Sequence, residues 1–185
     1  KRNFLGIIKK HATEMLEEVL SKVKQEYGVL SLFNDKSNAI DNIHMWSLYA
    51  DGMRGFCLEF SKEKLTDSLI EKSRPDNNVE GESVNYQNEP IEINLLDSKE
   101  LKVDKIIEMM SIKNDIFTAE NEYRYICNNK GYNSYSVESL KAIYIGNKAK
   151  QEEKELLEAI VKSIYPDAKI NYVEISKNNY SIEKL

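Results

Sequence analysis

Apolar side chains recur in steps of three and four at Leu5, Ile8, Ala12, Met15, Val19, Val23 and Tyr27, which predicts an amphipathic helix over residues 4–27 ending at Gly28. "VLSLF" at 29–33 then reads as a buried strand, and Asp41 as the cap of a short helical or irregular turn through "NIHMWSLYA". "GFCLEF" at 55–60 predicts a strand, and Ser61 opens a helix with Leu65, Leu69 and Ile70 on its apolar side. "SVNYQ" and "IEINL" read as a strand pair interrupted by Pro90, and "SKELKVDKIIEMMSIK" as a helix with Ser98 at its N-cap. "EYRYIC" at 122–127 and "KAIYIG" at 141–146 are strands rich in aromatic and β-branched residues. "QEEKELLEAIVKSIY" is a charged amphipathic helix closed by Pro166, and "KINYVEIS" the last strand. Helices and strands mix without regular βαβ alternation, so the expected class is α+β, a mixed, mainly antiparallel sheet flanked by amphipathic helices.

With three Pro, no linker-like tract and no internal repeat, the 185 residues read as one domain spanning 1–185. The chain opens on Lys rather than Met, which fits a fragment whose upstream part is missing. A composition of 41% hydrophobic and 31% charged residues describes a folded globule, and no run reaches the roughly 18 apolar residues of a membrane span. Cys57 and Cys127 lie far apart in apolar runs and read as reduced core residues of a cytoplasmic protein. A net charge of -5 opposes general nucleic-acid affinity, which needs clustered Lys and Arg. His11 and His44 share no metal-ligand spacing with the cysteines, and no dinucleotide or P-loop glycine pattern occurs. In "PDAKINYVEISK", Glu174 and Lys177 stand three apart and point to opposite faces of a strand, which excludes a nuclease motif there.

Two segments carry the candidate chemistry. In "AENEYRY", taken as extended, a period of two puts Glu120, Glu122 and Arg124 on one face. Two neighbouring carboxylates raise each other's pKa while Arg124 lowers it, a pairing able to steady a cationic transition state. The same residues also serve as a plain Glu–Arg ion pair at a strand start. In "HMWSLYADGMRGFCLEF", Trp46 and Tyr49 stand one helical turn apart. They pack a core, with Ser47 and Asp51 tying the turn, or they line a pocket with Ser47 and Arg54, able to stack on a nicotinamide or adenine ring. Gly52–Gly55 as a nucleic-acid clamp is disfavoured by its single Arg.

Met45, Trp46, Ser47, Tyr49, Ala50, Asp51 and Gly55, followed by Lys113, Glu120, Glu122, Tyr123, Arg124 and Gly146, resemble in order the bacterial family called domain of unknown function 2971, over roughly residues 28–146. Members often carry His where this chain has Leu48 and Met53, so no imidazole chemistry transfers to those positions. The Glu-x-Glu strand start is in turn similar to the acidic motif of ADP-ribosyltransferases. That likeness implies NAD as co-substrate, no metal, an unknown acceptor and a toxin or anti-phage setting, with Glu122 stabilising the oxocarbenium-like ribose and Glu120 assisting the acceptor. Trp46, Ser47, Tyr49, Arg54 and Arg124 would bind the nucleotide. The alternative, from a different class, is a non-catalytic binding or antitoxin-like module in which Glu122 and Arg124 form a structural ion pair.

Overall fold

The computed structural model describes residues 2–34, 39–72, 78–92 and 103–185, with side chains from residue 6 onward. In chain order the elements are α1 (Arg2–Glu26), β1 (Gly28–Phe33), α2 (Ile43–Tyr49), β2 (Phe56–Phe60), α3 (Lys62–Glu71), β3 (Val79–Ser83), β4 (Asn85–Tyr86), α4 (Val103–Met110), β5 (Ile112–Lys113), β6 (Glu122–Cys127), β7 (Leu140–Gly146), α5 (Gln151–Ile164), β8 (Lys169–Ile175) and β9 (Ile182–Lys184). Short 3-10 turns occupy Ala39–Asp41, Asp115–Glu120 and Val137–Ser139. The class is α+β, and the longer pairings are mostly antiparallel. The chain divides into two compact units, Lys1–Leu32 with Pro75–Tyr132, and Phe33–Arg74 with Asn133–Leu185.

In the first unit the strand order is β1-β6-β3. β6 pairs antiparallel with β3, placing Glu82 opposite Arg124 and Gly81 opposite Tyr125. Tyr125, Ile126 and Cys127 are buried, and Ile106 of α4 and Val84 join them in the interior. Along α1, Val19 and Val23 are half-buried whereas Ile8 and Met15 stay exposed. The sequence pairing of "SVNYQ" with "IEINL" is replaced: β4 runs parallel to β5, so Asn85 meets Ile112 and Tyr86 meets Lys113. Ile91 and Glu92 are not in a strand, while residues 93–95 and the N-cap position Ser98 lie outside the described residues. The helix expected up to Lys113 stops at Met110, because the Ser111 backbone carbonyl accepts from Asn85 N–H and that of Lys113 from Gln87 N–H.

In the second unit the order is β2-β7-β8-β9, with β7 parallel to β8 and antiparallel to β2. β7 is buried on both faces, as expected of a central strand. Ala142 and Tyr144 pack with Trp46, Ala50, Met53, Val173 and Ile182; Ile143 and Ile145 pack on the other side with Ala149 and Val161. Ser61 caps α3 by accepting from Lys64 N–H, as read from the sequence. Asn42, not Asp41, caps α2: its side chain accepts from Met45 N–H at 3.3 Å, while Asp41 closes the preceding 3-10 turn.

The turn after α2 is pinned to the end of β7. Gly55 and Met53 carbonyls accept from Gly146 and Lys148 N–H, and Met53 is fully enclosed with a left-handed φ of 75°. A Cβ at Gly146 would stand 2.1 Å from the Met53 carbonyl oxygen and 2.6 Å from its carbon, both rigid backbone atoms. Gly146→Ala is therefore expected to lower stability by about 1–3 kcal/mol or more, read from urea denaturation. A variant as stable as the parent contradicts this packing.

Candidate functional site

The four charged residues that meet in the first unit are assembled by three short elements. The parallel β4–β5 pair fixes the backbone of Lys113. Asn114 caps the following 3-10 turn by accepting from Ile116 N–H at 3.2 Å. That turn ends with Glu120, and Asn121 reverses the chain in the left-handed region (φ 46°, ψ 52°) before β6 begins at Glu122. Asn is among the few non-glycine residues that visit this conformation readily. Glu120 thus joins the face of Glu122 and Arg124 through a turn, not through the strand alternation expected from the sequence.

The Lys113 ammonium sits 2.5 Å from Glu120 Oε2 and 2.5 Å from Glu122 Oε1. Arg124 Nε donates to the other Glu122 oxygen at 2.9 Å, and its Nη1 donates to the Met110 carbonyl at 2.5 Å. Glu122 N–H donates to the Tyr86 hydroxyl at 2.8 Å, and Lys113 Nζ lies 4.7 Å from the Phe117 ring centroid. Glu120 and Glu122 are only 6% and 5% exposed. Two cations and two carboxylates sum to zero, the condition under which charges can be withdrawn from water at tolerable cost.

Burial disfavours the Glu122 carboxylate, but hydrogen bonds from Arg124 and Lys113 outweigh it and hold its pKa down at about 2. The mutual raising expected of paired glutamates does not govern Glu122: Glu120 is itself a hydrogen-bond partner that lowers its pKa, after Arg124 and Lys113. Burial likewise opposes the charge on Lys113, yet its bonds to Glu120 and Glu122 raise its pKa above the ordinary lysine value. Lys113 appears among the sequence features only as one residue of a familial pattern; its role comes from a contact that no local periodicity encodes.

Trp46, Ser47, Tyr49 and Arg54 belong to the second unit. Trp46 is 3% exposed and its ring N–H donates to the Ile40 carbonyl at 2.8 Å, so its indole is packed and satisfied in the core. Tyr49 does not share that buried face: it is 61% exposed, with its ring 5.5 Å from that of Phe33. The Ser47 hydroxyl donates back to the Ile43 carbonyl. Arg54 reaches the Asp51 carbonyl at 3.2 Å and borders an apolar cleft of about 250 Å³ with Phe56, Leu156 and Leu157. Burial first, then the charge of Glu59, pushes the Cys57 thiol up to about 11, which leaves it protonated and unreactive at neutral pH.

A larger cleft of about 530 Å³ opens in the first unit between α4 and β3. Glu80, Glu82, Asp104 and Glu108 line it together with Ser111 and Ile112, the residues just before Lys113. Among the described lining residues none of Lys113, Glu120, Glu122 and Arg124 occurs.

The sequence profile of a family described as protein of unknown function (DUF2971) matches residues 45–125, a span that runs from the Trp46 block to the Glu122 strand. The family likeness read from the residues therefore holds over that segment. No curated protein and no solved structure gives a significant match. Among the described residues no helix is long and apolar enough to cross a membrane.

Because folding lowers the Glu122 pKa, the folded state binds its proton more weakly than the unfolded chain, where an ordinary Glu titrates near about 4.3. The network's stabilisation is complete above that value and is lost as pH falls toward about 2. In urea denaturation at pH steps from about 5 to about 2, the stability gap between the parent and Glu122→Gln is expected to narrow steadily. A gap independent of pH contradicts the charged state assigned to Glu122.

Proposed function

We propose that the chain is a non-catalytic binding module in which Glu122 and Arg124 form a structural ion pair locked by Lys113. One observation carries this reading: both carboxylate oxygens of a nearly buried Glu122 are already engaged, one by Lys113 and one by Arg124. A glutamate that supports a developing ribose cation must offer a free oxygen to the reacting sugar, and its interactions must strengthen in the transition state. The open surface of the first unit lies instead at the acidic cleft beside β3 and α4, where a ligand can reach the side chains. Free Cys57 and Cys127 support placing the module in a reducing cytoplasm, and an antitoxin-like role belongs to the same reading.

The ADP-ribosyltransferase reading, with NAD as co-substrate, is favoured by the convergence of Glu120 and Glu122 on a single cation. It requires Lys113 to yield an oxygen of Glu122 when NAD arrives. Incubation with NAD and candidate acceptors, followed by mass spectrometry, separates the two. The module reading expects intact NAD, unmodified acceptors and a Glu122→Gln variant less stable by about 1–3 kcal/mol. Nicotinamide release by the parent, abolished in a Glu122→Gln protein of unchanged stability, overturns it.

A further inference from the structure

We infer that the cleft between α4 and β3 is a binding site for a linear polyamine, a ligand class that rests on, and gives content to, the binding-module reading. Its walls carry two rows of carboxylates. Glu80 and Glu82 alternate along β3 and project from one strand face, about 7 Å apart for two residues of strand rise. Asp104 and Glu108 lie one turn apart on α4, about 6 Å along the helix. Amines separated by a few methylenes repeat on that same scale.

Among the described residues these charges are neutralised only in part. Among the described residues Glu80, Glu82 and Asp104 make no ion pair, and only Glu108 has one, with Lys105 at 2.7 Å. Arg124 faces Glu82 in the strand register but is committed to Glu122 and the Met110 carbonyl. Carboxylates gathered along low-dielectric walls concentrate cations in the cleft. A second feature is independent of charge. Ser111, 7% exposed, lines the cleft where α4 ends, and its hydroxyl oxygen is buried without a hydrogen-bond partner among the described residues. Buried hydroxyls are rarely left so, and an ammonium or amine N–H satisfies one as donor.

Val103 and Ile107 contribute apolar surface from the same helix face, suited to the methylene segments between amines. The volume of about 530 Å³ lies within the range of small-molecule sites, and no cluster of acidic, His or Cys side chains among the described residues could hold a metal ion. The chemistry of the walls therefore selects an extended organic polycation over a compact divalent one.

Isothermal titration with spermidine at physiological ionic strength tests the assignment. One saturable site per chain is expected, weakened at least tenfold by Glu80→Gln with Glu82→Gln and severalfold by Ser111→Ala. Both glutamates are exposed, so the double variant keeps its fold, which its thermal melt verifies. Absence of saturable heat, or equal affinity in the double variant, overturns the proposal. So does saturable binding of a tetralysine peptide where spermidine shows none, which reassigns the cleft to basic protein segments. NAD turnover would remove the module reading without altering the spermidine isotherm, so the two failures are distinguishable.

Discussion

A lysine ammonium held between two nearly buried carboxylates is the constraint around which the first unit is organised. Lys113 cannot leave Glu120 and Glu122 without stranding negative charge away from water, which costs several kcal/mol per uncompensated ion. Its position therefore fixes where β5 pairs with β4, and the turn back into β6 must deliver Glu120 to the same point. Arg124 extends the network by tying Glu122 to the carbonyl at the end of α4. Helix, parallel strand pair and 3-10 turn are thus joined through one electrically neutral knot.

That knot also limits chemistry. A pair of adjacent glutamates suggests acid–base or oxocarbenium work when viewed in isolation, since each should perturb the other. With a cation between them, Glu122 is held ionised and both its oxygens are occupied. The neighbouring cleft presents the opposite arrangement, with Glu80, Glu82 and Asp104 exposed and, among the described residues, without an ion pair. Charge that is neutralised serves the fold, and charge that is not remains available to a ligand.

Elements with strong local signals were legible in the sequence. The apolar runs at 122–127 and 141–146 become β6 and β7, the periodic stretch after Lys150 becomes α5, and Ser61 caps its helix. β3 was not legible, because "VEGES" lacks apolar alternation: Gly81 leaves room for the Tyr123 and Tyr125 rings, and its glutamates face the cleft. β4 and β5 are too short for any periodicity to register, and they exist through pairing distant in sequence. Glu122 and Arg124 share a face through the strand alternation read from the sequence, whereas Glu120 reaches it for a reason the sequence did not hold, the left-handed turn at Asn121. Trp46 and Tyr49 share helical spacing yet separate into core and surface, because only one side of α2 meets the sheet.

The state of the Glu122 carboxyl decides the account most directly. A carbon-detected NMR titration of its side-chain carboxyl in the folded protein is predicted to show a midpoint at about 2, reached only as the fold begins to fail in acid. A midpoint at or above the ordinary Glu value of about 4.3 would contradict it, because such a carboxyl is not clamped by Lys113 and Arg124 and is free to exchange protons with a substrate.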